Sequence, residues 1–156
     1  MALAPNWRVD RRGPKDLVVE EMVASYVAEL LSDIPDFDLE RASPPAPMDF
    51  EWPNGCFLLL MVGDEPIGCG AIRRLSEGEG ELRRMWVTPL WRGRQAGRYL
   101  LGALEDLARE MGMSKLCLDT NSALEAALGL YRSAGFIDVE PYNDNSFADV
   151  WLAKDL

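Results

Sequence analysis

The chain contains no histidine. That excludes a Ser-His-Asp triad, a Cys-His pair and a histidine-ligated metal within one polypeptide, and no metal is expected. Cysteine is scarce as well. Cys56, Cys69 and Cys117 form no C-x-x-C pair, are odd in number and sit in apolar runs. They read as buried free thiols in a reducing compartment, and a cysteine nucleophile would lack its usual base. No apolar run reaches the roughly 18 residues of a membrane span, and no signal-peptide pattern is present. The expectation is a cytoplasmic protein with no membrane partner. Positive charge is also short: 16 Lys and Arg against 26 Asp and Glu give a formal net charge of -10. That argues against nucleic acid as a partner and mildly favours a cationic substrate.

The positive charge that exists is concentrated. Seven arginines and only three glutamates lie between Arg73 and Arg98. The run from Glu81 to Leu101 reads as a strand, a turn and a helix. The turn holds Arg92, Gly93, Arg94, Gln95, Ala96, Gly97 and Arg98. Free N–H groups of such a turn and of the first helical residues, with the helix dipole behind them, suit an anion such as phosphate. The turn is neither a Walker A loop nor the Rossmann G-x-G-x-x-G. Taken alone it could equally be punctuation, and its arginines a solvated basic face.

The rest of the chain fits one domain, residues 1–156, with 48% hydrophobic residues to build its core. Trp7 to Val9 suits the end of a short first strand. Asp16 to Leu31 reads as a helix with Asp16 as candidate cap and Leu17, Val18, Met22, Tyr26, Leu30 and Leu31 at helical spacing. Proline is dense between residues 32 and 55, so a loop is expected there, with a short helical turn near residues 37–41. The acids of this loop (Asp33, Asp36, Asp38, Glu40, Asp49, Glu51) form either an ordinary connection or a substrate-facing wall.

Three strands joined by tight turns follow: Cys56 to Val62, Ile67 to Leu75 and Glu81 to Val87. Alternation along the third puts Leu82, Arg84 and Trp86 on one face and Glu81, Arg83, Met85 and Val87 on the other. Ala96 to Met111 is a helix, Lys115 to Thr120 a strand parallel to the third, and Ser122-Ala-Leu-Glu125 reads as a capping box opening the last helix. Strands at Phe136 to Val139 and Phe147 to Lys154 close the chain. The fold class is α+β: helices flanking a mixed, mostly antiparallel sheet.

These residues together resemble the GCN5-related N-acetyltransferase family, small bacterial type. Its coenzyme A motif is Q/R-x-x-G-x-G/A, and here Arg92 fills the first position and Gly97 the last. Gln95 stands where the family usually has glycine. Asn121 after a strand, and Ala-Leu-Gly-Leu-Tyr-Arg-Ser-Ala-Gly-Phe136, are similar to the family's later elements. The resemblance runs from about Cys56 to the C-terminus, and the first 55 residues fit by strand-helix order.

The resemblance implies an acetyl-CoA-binding core at 56–156 and a substrate-side region at 1–55. It implies that amides near Arg94 to Arg98 wrap the pyrophosphate. It also implies that the strand of Met85, Trp86 and Val87 splays from its neighbour to receive the pantetheine arm, and that Asn121 hydrogen-bonds that arm. If the usual glycine has positive φ, Gln95 is strained or the turn is reshaped, yet the amides are still expected to face outward. The implied reaction is direct attack of a primary amine of a small molecule or peptide on acetyl-CoA. Glu81 would be general base and Tyr131, a phenol of ordinary pKa about 10, general acid. A non-catalytic acyl-CoA sensor on the same scaffold and a nucleotide-binding regulatory module are the alternatives. A homodimer through an edge strand is a reasonable expectation.

Overall fold

The computed structural model describes residues 6–42 and 44–156. Pro5 and Ser43, which belong to the proline-bearing segments above, lie outside them. Seven strands form one sheet: β1 (Trp7–Arg12), β2 (Gly55–Val62), β3 (Glu65–Ser76), β4 (Glu79–Val87), β5 (Lys115–Thr120), β6 (Ile137–Asp138) and β7 (Val150–Asp155). Their order is β1-β2-β3-β4-β5-β7-β6, and every pairing is antiparallel except β4 with β5. That parallel step is the strand-helix-strand unit expected from the sequence.

Among the described residues three α-helices cover the sheet: α1 (Leu17–Asp33), α2 (Ala96–Glu110) and α3 (Glu125–Ser133). Asp16 caps α1, its Oδ1 accepting from the Val18 and Val19 N–H groups at 2.9 and 3.1 Å. Leu100, Leu101, Leu104, Leu107 and Ala108 of α2 repeat at helical spacing and are buried. They pack with Tyr131 and Phe136 against Leu58, Leu60, Ile72, Leu82, Leu116 and Leu118 on one face of the sheet. Each such leucine removed from water stabilises by roughly 2 kcal/mol. On the other face Val19 of α1 packs with Phe50, Phe57, Leu59, Met61, Cys69 and Ala71. The proline-rich loop carries a 3-10 turn over Pro47–Phe50, which delivers Phe50 into that cluster. All three cysteines are buried and free, and burial pushes Cys69 and Cys117 up to about 12, as inert thiols require.

Two local expectations are corrected. Opposite Gly70, β4 has two residues where β3 has one: Cys69 pairs with Trp86, but Ala71 pairs with Arg83. The extra residue is a β-bulge, and Arg84 within it has φ 55. A bulge resets the alternation, so Leu82 and Val87 share the α2 face while Trp86 joins the α1 face. Leu82 and Trp86 therefore do not share a face. The capping box at Ser122 is likewise absent. α3 starts three residues later, with Leu124 at its cap position and no side-chain cap. Ser122 instead turns to Asp149, its N–H and Oγ donating at 2.8 and 2.6 Å. Donating to a carboxylate makes a charge-assisted bond, stronger than the neutral bond a capping hydroxyl would accept from a backbone N–H.

Candidate active site

Hydrogen bonding between β4 and β5 ends early. Only Glu79, Gly80 and Glu81 pair with Lys115, Leu116 and Cys117. Beyond Glu81 the strands part, and β4 runs on to Val87 with that edge free. A cavity of about 590 Å³ lies beside this end of β4. Met85, Trp86 and Val87 form its floor, Arg92, Gly93 and Gln95 to Arg98 one wall, α3 residues including Tyr131 a second wall, and Tyr26, Glu29, Leu30 and Asp33 of α1 a third.

The turn wall has the chemistry of an anion site. Gly93 has φ 74 and Gln95 has φ 70 and ψ 7, both left-handed. Gln95 thus adopts the conformation that glycine would take freely, at a cost of about 1 kcal/mol. Alternating left-handed residues point successive N–H groups into one concavity. Among the described residues, the N–H groups of residues 93 to 98 donate to no protein acceptor. The α2 N-terminus has no side-chain cap and no acid in its first turn, and Arg98 sits there instead. Cation and positive dipole end oppose each other, an arrangement that becomes favourable only with an anion present. Gly97 lets α2 pack closely on α3: a Cβ there would meet Leu130 Cδ2 at 3.2 Å, and the leucine would have to give way.

The other turn residues are held in place by the protein itself. Arg92 donates through Nε to the Val87 carbonyl at 2.9 Å and through Nη2 to Glu29 at 2.6 Å. Trp86 Nε1 donates to the same Glu29 oxygen at 2.8 Å. This strap ties α1 to the end of β4. Burial pushes Glu29 up, but hydrogen bonds from Arg92 and Trp86 and the Arg92 charge outweigh it and hold its carboxyl below the ordinary range. Arg98 donates to Ser133 Oγ at 2.7 Å, tying α2 to α3. Arg94 stacks on Trp91 with its guanidinium 5.2 Å from the ring centre, and it does not line the cavity.

Tyr131 is 8% exposed, packs edge-on to Phe136 and lines the cavity. Its hydroxyl makes no hydrogen bond to the described residues and is not sealed in the core. Burial, assisted by Tyr26 and the Asp119 charge, raises its pKa above the ordinary tyrosine value. It is a protonated phenol aimed at the cavity.

Glu81 and Asn121 are placed differently from what the family resemblance implies. Glu81 is fully buried and does not line the cavity. Its Oε1 accepts from Arg73 Nε at 2.8 Å, and its Oε2 accepts from the Tyr142 hydroxyl at 2.6 Å. Arg83 Nε stands 3.7 Å away. Asn121 also lies off the cavity: its Nδ2 donates to the Phe147 carbonyl at 2.7 Å and its Oδ1 accepts from the Ala123 N–H at 2.8 Å. Its Nδ2 thus ties the β5–α3 turn to the segment before β7, while its Oδ1 closes the turn on itself. Tyr26 and Glu29 are cavity residues not assigned to the site from the sequence, whereas Asp33, one of the acids read as a connection or a substrate-facing wall, does line the cavity. Tyr26 and Leu30 lie one helical turn apart on the apolar stripe, which was the available signal. Tyr142 carried none.

The sequence model of the acetyltransferase (GNAT) family matches residues 24–136. The chain belongs to the GNAT family. An IAA acetyltransferase of Azospirillum brasilense is 36% identical over 144 residues, covering 88% of this chain and 89% of that protein. An uncharacterized N-acetyltransferase of Schizosaccharomyces pombe is 32% identical over 145 residues, covering 88% and 86%. The fold of this GNAT chain matches that of a GNAT acetyltransferase from Staphylococcus aureus, with TM-score 0.76 at 16% identity over 95% and 99% of the two chains. It also matches the PaiA N-acetyltransferase of Thermoplasma acidophilum in complex with coenzyme A, with TM-score 0.72 at 13% identity over 97% and 99%. Among the described residues no helix is long and apolar enough to cross a membrane.

Proposed function

We propose that the protein transfers an acetyl group from acetyl-CoA to a primary amine of a small molecule or peptide. The observation that carries this reading is the row of amides at 93 to 98 without an acceptor among the described residues, in a turn that lines the same cavity as Tyr131. The amides suit the pyrophosphate, and the free edge of β4 at Met85 to Val87 suits the pantetheine amides and the thioester carbonyl. The amine lone pair attacks the carbonyl carbon, the C–S bond breaks, and the Tyr131 phenol gives its proton to the leaving thiolate. The attacking amine gives up its own proton to water and water returns a proton to the Tyr131 phenolate, leaving an acetamide and coenzyme A.

In this reading Glu81 reaches an amine only through an intervening water or side chain, because both its oxygens are occupied and it is enclosed. Its geometry suits an anchoring anion better than a base in direct contact with substrate. Asn121 supports the wall and does not touch the pantetheine. The same fold with coenzyme binding but no transfer would be a sensor, and free Tyr131 favours the enzyme over it. The test is thiol release from acetyl-CoA against polyamines, amino acids, aminoglycosides and peptide N-termini. Release with one class, lost in Tyr131→Phe while coenzyme binding persists, is the expected result. Tight acetyl-CoA binding with no release for any acceptor would favour the sensor.

A further inference from the structure

The β4 bulge turns an arginine onto a face that strict alternation denies it. Leu82 packs in the core beneath α2, and alternation from it would carry Arg84 into the same core. The extra residue sends Arg84 to the α1 side instead, at φ 55, a left-handed conformation that favours glycine. Non-glycine residues held in that region cluster at ligand clamps and active sites.

Arg84 lines a second cavity, of about 280 Å³, that shares no residue with the reaction cavity. Its walls are mainly apolar: Val19 and Val23 of α1, Pro45, Pro47 and Phe50 of the proline-rich loop, and Phe57 of β2. Among the described residues the Arg84 guanidinium makes no hydrogen bond and no ion pair. It lies over the Phe50 ring, 5.5 Å from the ring centre. Its five N–H donors are thus left without a protein acceptor. Burial, and then the charge of Arg83, lower its pKa, and a bound anion would offset both. Glu20, the one acid lining this cavity, is exposed and outside ion-pairing distance of Arg84.

We propose that this cavity is a second ligand site, for a small monocarboxylate with an apolar body. The carboxylate accepts from Arg84 in bidentate fashion, and the body packs against Phe50, Phe57 and the two valines of α1. The volume lies just under the range of about 300–1,000 Å³ usual for drug-sized ligands, so it suits one ring or a short chain. One guanidinium in apolar walls matches a single negative charge. A phosphate would bury a second charge unpaired. The site does not depend on acetyl transfer.

The probes are benzoate and hexanoate, with benzamide and hexanamide as uncharged counterparts and benzylamine as the cation. Each is titrated into the isotope-labelled full chain, without and with coenzyme A, and followed by amide nuclear magnetic resonance. At least one carboxylate should bind saturably with a Kd of about 1 mM or tighter and exceed its amide by at least about 10-fold, the scale of a charge-assisted hydrogen bond. The amides of Val19, Val23, Phe57 and Arg84 should move, whether or not coenzyme A is present. Arg84→Gln should remove the preference for the acid, and Arg84→Lys should restore part of it. Ala24 lines the same cavity from an exposed position on α1. Ala24→Leu, a good helix former that fills the space, should weaken every probe. If Arg84→Gln does not fold, the acid-to-amide ratio in wild type and the Ala24→Leu variant decide. No saturable binding, a preference for the amides or for benzylamine, shifts confined to the reaction cavity, or an affinity unchanged in Arg84→Gln would each overturn the proposal.

Discussion

One side of the cavity is built from backbone and the other from side chains. On the α2 side the recognition groups are consecutive N–H groups of residues 93 to 98, supplied by one short stretch of chain. On the α1 and α3 sides they are the side chains of Tyr26, Glu29, Asp33 and Tyr131, drawn from two helices. A backbone site tolerates a change of side chain as long as the conformation is kept, and Gln95 illustrates it by taking a left-handed φ of 70. A side-chain site depends on the identity of each residue, as Glu29 shows by accepting from both Trp86 and Arg92 at 2.8 and 2.6 Å.

Removing one charge from the buried cluster around Glu81 should do more damage than altering the turn. Glu81→Gln leaves Arg73 and Arg83 without their counterion and should cost about 3 kcal/mol of stability by urea unfolding. A variant that loses turnover with unchanged stability would instead make Glu81 a base, breaking the contrast drawn here.

Tyr131→Phe should lower kcat by about 100-fold or more in thiol release, with acetyl-CoA affinity by calorimetry held within twofold. Because its pKa is raised by burial, wild-type kcat should show no loss from Tyr131 ionisation as pH rises through the ordinary tyrosine value of 10.0. A fall centred at or below that value would contradict the assignment.

The strap between the two sides offers a pH test. The folded pKa of Glu29 is depressed, so its contribution to stability is present above its ordinary value of 4.5 and is lost as pH falls below that through the folded value. Glu29→Gln should cost about 1 kcal/mol or less at pH 7, the pair being partly exposed, and should flatten the acid limb of the melting curve. An unchanged acid limb would remove the strap from the account. The smallest effect is expected at Gln95→Gly, where relief of left-handed strain outweighs the entropy of a glycine by about 0.5 kcal/mol, seen as a slightly higher melting temperature.

The same contrast explains what was readable from the sequence. The α2 stripe, the parallel step to β5 and the Gly93 to Gly97 turn are local patterns, and they appear where periodicity and motif put them. The bulge at Arg84 is invisible to alternation, because one unpaired residue depends on its partner strand. Ser122 had a helix-capping pattern and was taken by Asp149, 27 residues away. Glu81, read as a strand-end acid facing substrate, is enclosed because Tyr142 folds back 61 residues to cover it. Sequence spacing carries no record of such partners, so these placements emerge only in three dimensions.

The central claim is that the amides of residues 93 to 98 hold the pyrophosphate of coenzyme A. Titration of the isotope-labelled protein with coenzyme A, followed by amide nuclear magnetic resonance, tests it directly. The account predicts that the largest shifts fall on Gly93 to Arg98, with smaller ones on Met85 to Val87. Saturable binding that leaves those six amides unmoved while shifting others would contradict it.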